Sequence, residues 1–222
     1  MFEGKYTEIT KINKKTLYWI AACGIVQEPV SIEKWIETYP FLGCANWERI
    51  LKAILLISNE PYLHSLQFKI VHRILNCKKN LYHWKLTDSP SCVYCEDIDT
   101  IEHHLFYCKY VQILWNHIFM WLHDVFRDKE KIDPRVCEII FGVQVDEKSW
   151  SPEIYCRNLV ILLGKWFINN KRSECKQLNF SHFCNILKLK LQIYLTNFES
   201  TASFEKVDSG ISDSFRIMLD KL

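Results

Sequence analysis

Glycine and proline are scarce in this chain, six of each in 222 residues. So few turn formers argue against a turn-rich β fold and for helices joined by short connections. No apolar run reaches the ~18 residues that a membrane-spanning helix needs. The stretch from Leu159 to Leu163 is apolar, but Arg157 and Lys165 bracket it. Met1 is followed by a polar, mixed-charge segment instead of a secretory leader. The expectation is therefore an intracellular protein, in cytoplasm or nucleus, with reduced thiols and no membrane partner. Charge of one sign is lacking too: the net charge of +2 names no partner. No P-loop, G-x-G-x-x-G or G-x-S-x-G occurs, and Glu102, His103 and His104 lack the spacing of H-E-x-x-H. The chain reads as a non-enzyme.

What is present is apolar surface. Hydrophobic residues make up 49% and aromatics 14%, enough to build a core. The periodicities predict an all-α protein. Leu17 to Val26 reads as a short helix, and Ser31 as the N-cap of another carrying Trp35. Trp47 to Ile57 follows, with Trp47, Ile50, Leu51, Ile54 and Leu55 on one face. From Tyr62 to Cys77, Leu63, Leu66, Ile70, Val71 and Ile74 share a face opposite Lys69, His72, Arg73 and Asn76. Tyr110 to Phe126, Ile154 to Asn170 and Asn179 to Phe198 complete the set. The expected organisation is an N-terminal helical segment (1–61), a metal-binding module (62–126), a helical hairpin (135–198) and a loosely ordered tail (199–222).

Cys92, Cys95, His103 and Cys108 form C-x2-C-x7-H-x4-C. Three thiolates and an imidazole suit one closed, structural zinc with no position left for water or substrate. Asp99 and Thr100 can cap a helix that carries the last two ligands. On a regular helix His104 and Cys108 share a face, whereas His103 and Cys108 lie about 140° apart. Helix geometry thus favours His104 unless the turn is irregular. The other seven cysteines lack ligand spacing and read as buried free thiols. Asp97 and Asp99 read as surface turn acids, and His64, His72 and His83 have no assignable catalytic partner.

Between Lys69 and Lys85 there are five Lys or Arg and no acidic residue, with Tyr82 and Trp84 interleaved. Cations that meet phosphates and rings that stack on bases make a nucleic-acid surface, and the same run reads equally as a solvated helix face with two core aromatics. The residues expected to serve it are Lys69, Arg73, Lys78, Lys79, Trp84 and Lys85. A second basic cluster, Lys165, Lys171, Arg172, Lys176, Lys188 and Lys190 against Glu174, reads first as a solvated helix face and second as a phosphate site.

The stretch Leu66 to Leu75, with Leu81, Trp84, Cys92, Cys95, Asp99 to His103, Cys108 and Trp115, resembles the zinc-binding segment downstream of the reverse transcriptase in non-LTR (LINE-type) retrotransposon polyproteins. Trp35, Trp47 to Ile50, Leu162 to Ile168 and Phe180 to Phe183 extend the likeness, so that it covers roughly residues 5 to 198. The resemblance implies His103 as the third ligand and His104 as the alternative. It also implies RNA or DNA binding in support of target-primed reverse transcription; backbone and stacking contacts from the basic run would make that binding largely sequence-independent. The polymerase's Tyr-x-Asp-Asp signature is missing, so it implies no catalysis. A zinc-stabilised protein-interaction module, or an element relic without function, are the rival expectations.

Overall fold

The computed structural model describes residues 29–127, 135–143, 151–201 and 206–222. The expected helix Leu17 to Val26 lies outside them. The chain divides into two compact units, Met1–Gly43 and Cys44–Leu222. In the first, helix α1 (Val30–Thr38) buries Ile32 and Trp35, and Trp35 stacks on Tyr39. Its N-cap position is Pro29; Ser31 lies inside the helix, its hydroxyl buried without a partner.

The second unit contains α2 (Trp47–Ile57), α3 (Pro61–Val71), α4 (Lys78–His83), α5 (Lys109–Phe126), α6 (Val136–Phe141), α7 (Pro152–Ser173), α8 (Phe180–Thr201) and α9 (Lys206–Asp220). Among the described residues there is no strand, only a single antiparallel bridge between Ser91 and Ile98. No described helix is long and apolar enough to cross a membrane.

Helix starts follow local chemistry. Asn46 accepts from the Arg49 N–H, Ser151 from Ile154 and Asn179 from His182, each satisfying an otherwise orphaned amide. Pro61 and Pro152 occupy first-turn positions, where no N–H is missed. Helix stops are less ordinary. At the end of α3, Arg73 N–H bonds the Ile70 carbonyl and Ile74 N–H the Lys69 carbonyl, with Arg73 at φ 58°. This is a Schellman stop with arginine in the left-handed position usually given to glycine. Lys85 ends α4 and Cys175 ends α7 in the same way, at φ 59° and 52°. The helix expected to run to Cys77 therefore stops at Val71, and Ile74 is exposed.

Helix α7 is the axis of the unit. Every residue from Tyr155 to Lys165 is buried, as are Phe167, Ile168 and Arg172, because α2, α3, α5, α6, α8 and α9 all pack on it. A Cβ on Gly164 would stand 2.7 Å from the Trp115 ring, so the missing side chain lets α5 approach α7. Gly142, at φ 84°, abuts Asn158, whose amide clamps Val143 N–H and C=O at 2.6 and 3.2 Å. Helix α9 stands where the sequence suggested a loose tail: Ile211, Phe215 and Met218 are buried against α7 and α8.

The second basic cluster is mostly spent on structure. Lys165 is 2% exposed and donates to Gln67 Oε1 at 2.5 Å and to the Ile140 carbonyl at 3.2 Å. Arg172 is 4% exposed. Lys176 pairs with Glu174 at 3.0 Å. Lys190 pairs with Glu60 at 2.6 Å, and Tyr194 donates to the other oxygen of the same carboxylate. Burial opposes the charge on Glu60, but hydrogen bonds from Lys190, Tyr194 and Tyr62 outweigh it and lower its pKa. Two of the scattered cysteines, Cys44 and Cys175, are exposed and not buried as expected; Cys77 and Cys156 are buried.

Candidate metal centre

The four residues come from three local structures. The Ser91–Ile98 bridge closes a tight loop that carries Cys92 and Cys95. Within it Cys92 N–H donates to the Asp97 carbonyl at 2.7 Å, and Tyr94 N–H points at Cys92 Sγ at 3.3 Å. Thr100 then accepts from the His103 N–H at 3.0 Å and caps the turn that follows. That turn, His103–Tyr107, is a π-helix. Cys108 N–H bonds the His103 carbonyl five residues back, at 3.1 Å. Cys108 itself is extended, at φ −60° and ψ 125°, and forms the N-cap position of α5.

The π-turn removes the objection to His103. An i→i+5 turn closes over five residues, so residues five apart stand on the same side. The ligand atoms of Cys92, Cys95, His103 and Cys108 all lie within 4.8 Å of one another. Cys92 Sγ is 3.9 Å and Cys95 Sγ 3.6 Å from Cys108 Sγ, and His103 Nε2 is 3.2 Å from Cys95 Sγ. A tetrahedron with metal–sulfur bonds of ~2.3 Å has sulfur–sulfur edges of about 3.8 Å, and about 3.6 Å to a nitrogen ligand. The cluster is thus the right size to hold a metal ion.

Its electrostatics fit a cation. Burial, then hydrogen bonding with Cys108 and Cys92, pushes the Cys95 thiol up to about 12. A divalent ion at the centre relieves that crowding of sulfurs. Burial also raises the Cys92 thiol, but the Tyr94 N–H and Arg172 more than offset it and the net shift is downward. Burial lowers the His103 pKa, which keeps the imidazole neutral as a ligand must be.

His104 turns away into the core. Its Nδ1 lies 3.2 Å from Asp99 Oδ2 and 3.1 Å from Arg172 Nε. Asp99 is not a surface turn acid: it is 2% exposed, and its carboxylate bonds the Lys78 N–H at 2.9 Å and the Arg172 guanidinium. Arg172 Nη2 also reaches Cys92 Sγ, at 3.1 Å. Sequence reasoning missed Arg172, which no local pattern distinguishes from its basic neighbours. Trp115 supports the π-turn by donating its indole N–H to the Leu105 carbonyl at 2.7 Å.

The residues expected to meet nucleic acid divide. Lys79, Trp84 and Lys85 are exposed, together with Tyr82 and His83, on and just beyond α4. Lys69 and Lys78 are half-buried. Arg73 is ion-paired with Glu102 at 2.7 Å, tying the end of α3 to the residue before His103.

No family model matches the chain, and no match was found among curated proteins or solved structures.

Proposed function

We propose that this chain is a non-catalytic nucleic-acid-binding module built on one structural zinc, of the kind found downstream of the reverse transcriptase in non-LTR retrotransposon polyproteins. Zinc is favoured over other metals because three thiolates and one imidazole at tetrahedral spacing suit a borderline-soft d¹⁰ ion. Four protein ligands close its coordination sphere, so its role is to hold the loop and the π-turn together.

The observation that carries the nucleic-acid reading is the anchoring of α4. Asp99 accepts from the Lys78 and Lys79 amides, through its carboxylate and its carbonyl respectively. The basic, aromatic stretch 78–86 is thereby held against the metal turn with Tyr82, Trp84 and Leu86 exposed. Lysines there would contact phosphates, and the two rings would stack on unpaired bases.

The test is a titration of fluorescent single-stranded RNA and duplex DNA with zinc-loaded protein at several salt concentrations. The expected result is affinity that falls steeply with salt and depends little on sequence. In a Lys78→Glu/Lys79→Glu variant the log–log slope should drop by about 1 per lost phosphate contact. Unchanged affinity in that variant refutes the surface assignment. A second reading, a protein-docking module, draws on Leu189 and Ile193, one turn apart and exposed on α8. Absence of any RNA or DNA binding at low salt moves the reading there.

A further inference from the structure

Asp99 and Arg172 lie 73 residues apart in sequence and meet as an ion pair in which both side chains are 2% exposed. Arg172 sits in the last turn of α7. Its Nη2 serves two acceptors, the Asp99 carboxylate and Cys92 Sγ. Asp99 in turn serves both sides of the site. One carboxylate oxygen takes Arg172, and the other takes the Lys78 N–H. Its carbonyl takes the Lys79 N–H at 3.1 Å, and its own N–H donates to the Pro90 carbonyl at 2.9 Å. The ring of Tyr94, in the metal loop, lies under the guanidinium, 5.1 Å from its centre. A path of direct contacts therefore runs from a sulfur of the metal cluster through Arg172 and Asp99 to the first two amides of α4.

We propose that Arg172 is a positioning residue of the metal centre and that, with Asp99, it couples metal loading to the order of α4. The proposal rests on the metal-binding reading above. The physical reason is charge and donor accounting. Three thiolates around one divalent ion leave a net charge of −1 in a buried site. The guanidinium supplies a cationic N–H donor to one of those sulfurs, as outer partners of metal ligands do. The same Nη2 also holds the Asp99 carboxylate while Nε reaches His104 Nδ1, a fixed planar set of donors that a single ammonium point charge cannot match. When the metal leaves, nothing fixes Cys92 Sγ in place as the acceptor of Arg172 Nη2. The ion pair then loses one of its two anchors, and α4, six residues long with no side-chain cap of its own, loses the support of its first turn.

The experiment compares the full chain with Arg172→Met, Arg172→Lys and Asp99→Asn. Cobalt(II) is the optical probe, and a chelator competition measures zinc affinity. Amide hydrogen exchange is followed at Lys78 and Lys79 with and without metal. Arg172→Met should weaken zinc by about 10–100-fold and shift the sulfur-to-cobalt charge-transfer band. Arg172→Lys should recover only part of either. Protection of the Lys78 and Lys79 amides should fall when metal is removed from the parent protein, and also in metal-loaded Asp99→Asn. A merely structural arginine would lower stability without moving the band. The proposal is overturned if Arg172→Met binds zinc within twofold of the parent with an unchanged band, or if the two amides are equally protected with and without metal. Should Arg172→Met fail to fold, the band and affinity of Arg172→Lys decide. A parent protein that takes up no cobalt or zinc overturns the metal reading itself, a result distinct from loss of the coupling.

Discussion

Cys108 N–H reaches back five residues to the carbonyl of His103, at 3.1 Å, and this bond brings the two side chains to one metal-sized cluster. A turn wound this way exposes backbone groups that an α-helix would pair in sequence. The Trp115 indole takes one of them, the Leu105 carbonyl. The site thus depends on a distortion that the α5–α7 packing holds in place.

The two adjacent histidines should behave differently. His103→Ala removes a ligand, and zinc affinity should fall by at least about 100-fold, as for a lost metal ligand whose outer partners alone are worth 10–100-fold. His104→Ala leaves all four ligand atoms but empties a core position beside the Asp99–Arg172 pair. It should cost stability, by about 1–3 kcal/mol, with a cobalt spectrum that keeps three thiolates and one nitrogen. Chelator competition and cobalt absorption distinguish the two; equal loss of metal by both would sink the assignment.

Metal removal should unfold the segment from Tyr62 to Phe126. Ligand loops of this size do not hold together without their ion, since metal binding free energy is folding free energy there. The check is far-ultraviolet circular dichroism with and without chelator, alongside metal analysis of the purified protein. One zinc per chain and a loss of helicity on chelation are expected. Unchanged helicity in a zinc-free protein counts against the centre.

Gly164→Ala should destabilise the fold. The new methyl would stand 2.7 and 2.8 Å from two ring carbons of Trp115, a large and fully buried ring. Overpacking of this kind costs about 1–3 kcal/mol. Because the same ring supports the π-turn, chemical denaturation should show lower stability and a titration should show weaker metal binding. Trp115→Phe should reproduce the second effect by leaving the Leu105 carbonyl without its donor.

Lys165 should make stability depend on pH. Burial lowers its pKa to about 7, well below the ordinary lysine range, and its partners Gln67 and the Ile140 carbonyl are neutral. Below pH ~7 the lysine is charged in both folded and unfolded chains, and the folded state bears the full penalty. Between pH ~7 and ~10 the unfolded chain binds more protons than the folded one, so this group's contribution rises with pH, by at most about 1.4 kcal/mol per unit. Lys165→Met should abolish that part of the slope. Denaturation midpoints of parent and variant from pH 7 to 9.5 check it; parallel curves would refute the assignment.

The sequence by itself determined the helical class, the bounds of Trp47–Ile57 and, without ambiguity, three of the four residues of the cluster that could hold a metal ion. These are local matters: a helix face repeats within a turn or two, and a C-x2-C pair needs only one tight turn. Tertiary structure decided the rest. Four of the described helices stop at Arg73, Lys85, Arg127 and Cys175, where no glycine announces a left-handed residue. Each such residue carries a backbone cost of roughly 1–2 kcal/mol, offset by contacts such as the Arg73–Glu102 pair and the Asn80 amide on the Arg73 carbonyl. His103, and not His104, joins the three cysteines because the chain takes a π-turn. Arg172, one of six basic residues in its stretch, is buried beside the Cys/His cluster, where it meets Asp99 from 73 residues away. Periodicity within a segment carries no information about a partner at that distance; only the packing of α7 against the metal loop supplies it.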